Sequence, residues 1–191
     1  FIKLLSKIDE IELNILVNGY DDGKSTGEIR RYIPEILGPS DFRKNFSHLI
    51  ENNSNDGKIF CNILNFRFPN NTPTKDFVSM MSLNKKNKFI QKLEIYNLSY
   101  EKFLYLKSCF LVFLNYYMSN RTLGLSDLSL GNILIASLFL KNNKNFNRSL
   151  AKVQNLLDIK NNVLNITNGT NLFLNVILEN GKIISDEGEL V

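Results

Sequence analysis

The chain holds one histidine, His48, and two cysteines, Cys61 and Cys109, in 191 residues. A lone imidazole inside a helical stretch leaves nothing from which to build a Ser-His-Asp or Cys-His nucleophile, so His48 reads as structural or solvent-facing. The two cysteines sit singly on apolar segments, which suits core thiols in a reducing cytoplasm better than a disulfide or a metal pair. No apolar run reaches the roughly eighteen residues that a membrane span needs. The longest, Phe103 to Met118, carries Lys107 and Asn115 and reads as a buried helix. No signal peptide is visible in these residues, and no internal repeat stands out. A zinc pattern and a regular basic face with interleaved aromatics are missing, which argues against nucleic acid as a partner. The net charge of +4 and pI near 9.0 come partly from Asn84 to Phe89, a basic stretch that reads as a solvated insertion. The modest positive excess suits a holder of anionic diphosphates.

What is present is an alternation of helix and strand patterns with 43% hydrophobic content, enough for the core of one α/β domain. Spacing predicts a helix over Phe1 to Ile8, with Phe1, Leu4, Leu5 and Ile8 on one face, then a strand over Ile11 to Asn18. A helix is expected over Phe42 to Glu51 with Asp41 as N-cap. Lys58 to Phe68 is ambiguous and ends at Pro69. Helices follow at Tyr100 to Met118, Gly131 to Leu140 and Phe146 to Leu157. The remainder reads as β-rich, with Leu172 to Leu178 buried on both faces and Asn180-Gly181 turning a hairpin.

The most informative stretch is Asn18-Gly19-Tyr20-Asp21-Asp22-Gly23-Lys24-Ser25-Thr26-Gly27-Glu28-Ile29-Arg30-Arg31. It leaves the end of a strand, where open α/β sheets hold their ligands. Its glycines allow close backbone approach, Ser25 and Thr26 offer hydroxyls, and the arginines can meet phosphate in a bidentate way. The paired carboxylates Asp21 and Asp22 either hold a hard cation such as Mg²⁺ or grip polar groups of a ligand. An ordinary strand-to-helix connection with an Asp-Gly turn accounts for the same residues, and both readings stay open here.

Later segments add a family resemblance. Leu37-Gly38-Pro39-Ser40-Asp41-Phe42-Arg43-Lys44-Asn45 resembles the Pro-Pro-Gly-Asp-Ile-Arg-Asn segment of the bacterial YvcK-like proteins. Ser129-Leu130-Gly131-Asn132-Ile133-Leu134 resembles their Ser-Phe-Gly-Asn-Leu run, and the acidic loop resembles their Asp-Asp-Gly-Gly-Ser-Ser-Gly-x-Leu-Arg motif. Val163 to Thr167 and Asp186 to Glu189 are similar to the later Val-Leu-Pro-x-Thr strand and Gly-Glu segment. The wider family includes CofD, the 2-phospho-L-lactate transferase of deazaflavin cofactor biosynthesis. The match covers most of the chain and is weak between about Asn52 and Arg121. Two departures stand out: Lys24 replaces the second glycine of the acidic loop, and Leu128 replaces a common histidine.

The resemblance implies a Rossmann-like three-layer α/β/α fold with a mainly parallel sheet. It also implies that residues 1–191 form one domain fragment, incomplete at both ends, because members open with a Gly-rich loop and continue into a second half. It points to Asp21 and Asp22 as the catalytic and Mg²⁺-binding pair. Asn18, Gly23, Lys24, Ser25, Thr26, Gly27, Arg30, Asp41, Arg43, Asn45, Ser129, Gly131 and Asn132 become the expected ligand-binding set. Within it Arg43 is a phosphate clamp, or Asp41 simply caps a helix; the start of the helix after Ser129 offers free amides to phosphate, or Gly131 only lets helices pack closely. Two functions follow. One is a transferase moving a phospholactyl-type group from a guanosine diphosphate-linked donor to an acceptor alcohol. The other is a non-enzymatic UDP-sugar-binding factor in central carbon metabolism or cell-wall regulation. Both expect a cytoplasmic protein without membrane contact, and homo-oligomerisation is left open.

Overall fold

Apolar residues at every position make a helix that must be enclosed on all sides, and Leu130 to Phe139 is such a stretch, each residue of it buried. The computed structural model describes residues 1–6, 8, 10–50, 54–172 and 175–184. The buried helix is α8 (Leu130–Lys141), and most of the other described elements pack around it or against its neighbours. In chain order these are α1 (Ile2–Leu5), β1 (Asn14–Val17), α2 (Lys24–Tyr32), α3 (Ser40–Leu49), α4 (Asn55–Asn65), α5 (Thr74–Met81), α6 (Lys88–Lys92), a 3-10 turn (Ile95–Asn97) and α7 (Tyr100–Ser119). After α8 come α9 (Phe146–Leu156), β2 (Asn162–Asn165), β3 (Val176–Ile177) and β4 (Ile183–Ile184).

The fold is α/β and Rossmann-like in kind, rich in helix. β1 and β2 pair in parallel with Ile15 opposite Val163 and Leu16 opposite Leu164, so helices α2 to α9 form the connection that a parallel pair requires. β1 ends at the acidic loop, which delivers that loop to the start of α2. The region of weakest resemblance supplies α4 to α7. Its aromatic residues Phe66, Phe68, Phe77, Phe89 and Phe113 meet mostly edge to face in one cluster. Their geometry matches the quadrupole preference of aromatic pairs and makes this region core rather than insertion. The lysines of the Asn84 to Phe89 stretch are exposed, as expected, but Asn87 is buried and caps α6 through the amides of Phe89 and Ile90.

α7, α8 and α9 match the spacing within a residue or two, and α8 begins directly after its cap Ser129. The Asn180-Gly181 turn is also present. Gly181 takes φ +80, its amide donates to the Leu178 carbonyl (2.8 Å), and β3 pairs antiparallel with β4.

Four expectations need correction. The first helix spans only Ile2–Leu5, and its apolar face is open, with Phe1 91% exposed. β1 is shorter than expected and half-exposed: Leu16, on the face away from the helices, is 68% exposed. Leu172 to Leu178 is not buried on both faces. Ile177 is 71% exposed and Leu172 and Val176 are exposed too, because a two-stranded ribbon leaves its faces to solvent. Phe173 and Leu174 lie outside the described residues, as does the Asp186 to Glu189 segment. Finally, Asp41 is not an N-cap. α3 starts two residues earlier than expected, at Ser40 after Pro39, and Asp41 lies in its first turn paired with Lys44.

Candidate functional site

Small hydroxyl residues placed at helix starts can satisfy amides of their own helix or of a neighbour. Here they do both, and they join the three motif segments. Asp21 folds the acidic loop: Oδ1 accepts from the Gly23 amide (3.2 Å) and Oδ2 from the Thr26 hydroxyl (2.9 Å). The Thr26 hydroxyl also bonds the Ser40 hydroxyl at the start of α3. Asn132 Nδ2 donates to Ser40 Oγ (3.1 Å) and to Ser25 Oγ (3.2 Å), and the Ser129 amide donates to Ser25 Oγ (2.9 Å). The N-terminal ends of α2, α3 and α8 therefore meet at one hydroxyl-amide network. Each helix brings the positive end of its dipole to that point.

Glycine makes the approach close enough. A Cβ on Gly27 would stand 2.2 Å from the Asp22 carbonyl oxygen, and one on Gly38 would stand 2.5 Å from the Asp21 carbonyl oxygen. Gly131 faces Arg43 and the Leu64 carbonyl at 2.6 and 2.7 Å in the same sense.

Arg30 is 1% exposed and works inward. Its guanidinium donates to the carbonyls of Tyr20 (3.0 Å), Asp21 (3.1 Å) and Leu172 (2.6 Å) and to Asn171 Oδ1 (2.7 Å), with Asp22 Oδ1 at 3.8 Å. Burial lowers its pKa, against the attraction of Asp22 and Asp21. Arg30 thus fixes the outgoing loop to the segment after β2. Asp22, its side chain 17% exposed, lies between this guanidinium and solvent.

Arg43 is also buried, and its pKa is lowered first by that burial. It donates to the Leu64 carbonyl at the end of α4 (2.9 Å), packed on Gly131. Arg43 Nε and Asn132 Oδ1 are buried without a hydrogen-bond partner among the described residues. The amides at the start of α8 are not free as expected: Ser129 gives its amide to Ser25, Leu130 to the Phe66 carbonyl (3.0 Å) and Asn132 to Ser129 Oγ (3.4 Å). Asn18 accepts from the Tyr20 amide and Asn45 donates to the Asp41 carbonyl, both local bonds.

Beside the network a cleft of about 580 Å³ opens, lined by Lys24, Ser25, Glu28, Asn70, Gly124, Ser126 and Asp127. Of these only Lys24 and Ser25 were expected site residues. The others come from loops whose sole sequence signal is turn chemistry, as in Gly124-Leu125-Ser126-Asp127. Their positions are fixed. Ser126 donates to Asn70 Oδ1 (3.1 Å), Glu28 accepts from the Gly124 amide, and Arg67 donates to the Asp127 carboxylate (3.0 Å) and carbonyl. Lys24 has φ +42, a left-handed conformation that costs a side-chain-bearing residue roughly 1–2 kcal/mol and explains why glycine suits this place. Lys24 is exposed, and its ammonium makes no hydrogen bond or ion pair among the described residues.

Mg²⁺ is held through one or two carboxylates plus substrate phosphates. The donor set here fits it poorly. Both Asp21 oxygens already accept hydrogen bonds, Asp22 stands beside a guanidinium, and neither residue lines the cleft. Among the described residues no three of His, Cys, Asp or Glu are grouped to hold a metal ion.

The family model described as 2-phospho-L-lactate transferase CofD matches residues 1–191. Two crystal structures of a UPF0052-family protein from Bacillus halodurans are similar in fold, each at 19% identity, with TM-scores of 0.53 and 0.51. Each comparison covers 98% of this chain and 43% of the other, so the chain spans less than half the length of those structures. No curated protein matches the chain significantly.

Proposed function

The chain belongs to the CofD family, and from that membership we propose that it binds a nucleotide diphosphate-linked small molecule where α2, α3 and α8 meet. The observation that carries this reading is the convergence of three helix N-termini on one hydroxyl-amide network beside an open cleft. Helix N-termini present the positive end of the helix dipole, which favours an anionic group.

The cleft's lining suits the sugar and phosphate end of such a ligand rather than its base or a flat aromatic acceptor, and we take a UDP-sugar as the ligand. Among the described residues no aromatic or aliphatic side chain lines it. Glu28, Asn70, Ser126 and Asp127 supply acceptors and donors of the kind that sugar hydroxyls use, whereas an aromatic heterocycle would want a stacking face. In this reading Asp21 holds the loop in shape and Asp22 holds Arg30. No helix among the described residues is long and apolar enough to cross a membrane; the free cysteines Cys61 and Cys109 support a reducing cytoplasm as the location.

The second reading is transfer of a phospholactyl-type group from a guanosine diphosphate-linked donor to an alcohol, which the family description favours. There Asp22 would meet the acceptor hydroxyl, and positioning would carry the chemistry without a protein nucleophile.

Calorimetric titration of the full-length protein tests both. The binding reading predicts saturable heat with UDP-glucose at a micromolar dissociation constant, about −8 kcal/mol, and unchanged ligand after long incubation. Preference for a guanosine diphosphate conjugate, with nucleotide released only when an alcohol is added, would favour transfer. No heat with either nucleotide class rejects both.

A further inference from the structure

We infer that this chain holds the ligand's diphosphate on the Lys24 ammonium and needs no divalent metal ion to do so. The inference rests on the nucleotide-diphosphate reading above and concerns how that charge is met.

A nucleotide diphosphate conjugate carries two negative charges that its site must neutralise. A protein can do so with a metal held by carboxylates, with fixed side-chain cations, or with helix ends. Around this cleft the carboxylates are committed elsewhere. Asp21 is used by Gly23 and Thr26, and Glu28 by the Gly124 amide and Arg31. Asp127 is used by Arg67, and Asp22 stands against Arg30. The arginines of the motifs are committed too, Arg30 to the loop carbonyls and Arg43 to Leu64.

Lys24 is the exception. It lines the cleft, it stands at the start of α2, and its ammonium is not engaged by Glu28 or Asp127 although both line the same cleft. Both carboxylates already have partners of their own. An ammonium without a partner among the described residues, in a cleft whose carboxylates are satisfied and at the positive end of a helix, is placed for an anion that arrives from outside. Lys24 also stands where the resemblance expects glycine, so the feature belongs to this chain. The backbone there would favour glycine on conformational grounds, and the lysine is kept in a left-handed conformation all the same.

The test is the affinity of the full-length protein for UDP-glucose, measured by calorimetry with 5 mM Mg²⁺ and with EDTA on the order of ten times the protein concentration. It is repeated for the variants Lys24→Gly, Lys24→Met and Lys24→Arg. The inference predicts that EDTA changes the dissociation constant less than about twofold. It predicts that Lys24→Gly and Lys24→Met weaken binding at least about tenfold and that Lys24→Arg stays within about threefold of the original. Lys24→Gly also controls for folding, because it relieves the left-handed backbone and should melt no lower than the parent. Binding that disappears in EDTA, or that survives Lys24→Met unchanged, overturns the inference and leaves the nucleotide reading standing. Absence of binding by the parent protein under both conditions overturns the two together.

Discussion

Gly27 lies so close to Asp22 that a methyl group in place of its α-hydrogen would stand 2.2 Å from the Asp22 carbonyl oxygen. The neighbour is backbone, and the Asp22 side chain is held beside the buried Arg30, so the loop cannot easily give way. Loop shape and helix start are therefore one unit.

Gly27→Ala should destabilise the protein by about 1–3 kcal/mol through forced backbone displacement, although alanine is the better helix former. Urea denaturation followed by circular dichroism measures it. A stability gain of the size normally seen for glycine to alanine in a helix would show that the loop is free to move.

Arg30→Met should cost about 2–4 kcal/mol, because it strips donors from the buried carbonyls of Tyr20 and Asp21 and leaves Asp22 without its neighbouring cation. It should also release the segment near Leu172, which Arg30 ties to the loop. Amide hydrogen exchange that rises around both Asp21 and Leu172 is the expected result. A rise at one place alone would break the proposed connection.

Alkali should weaken the fold through Cys109. Burial pushes its thiol up from 9.0 to about 11. The folded state thus keeps its proton between about pH 9 and 11 while the unfolded chain loses its own. The sign follows from linkage: the contribution is intact below pH 9 and is lost as pH rises through 11. Tyr32, raised mainly by burial as well, acts in the same direction at higher pH. Cys109→Ala should flatten the loss of denaturation midpoint between pH 9 and 11 relative to the parent. Iodoacetamide at pH 8 should label the half-buried Cys61 before Cys109.

The sequence made the long elements legible where one interaction dominates. α7, α8 and α9 follow from apolar spacing, and the β3–β4 turn follows from Asn180-Gly181, whose glycine takes the required positive φ. The three motif segments were legible as a set, but not their junction. That junction depends on Ser25, Thr26, Ser40 and Asn132 meeting across more than ninety residues of chain, and short polar side chains carry no periodicity. The start of α8 misled for a related reason. Its amides would be free in an isolated helix, but the Phe66 to Phe68 segment pairs against it and takes the Leu130 amide. Asn70, Ser126 and Asp127 were hidden by the abundance of asparagine and turn residues. Nothing local distinguishes a loop that lines a cleft from one that does not.

Binding of a nucleotide diphosphate conjugate at the cleft beside the junction of α2, α3 and α8 is tested most directly by an amide chemical-shift titration of the isotope-labelled full-length protein with UDP-glucose. Saturable shifts are expected at Gly23 to Glu28, at Asn70 and at Gly124 to Asp127, with the β3–β4 hairpin unaffected. Saturable shifts centred away from these residues, or no shifts at millimolar ligand, would contradict binding there.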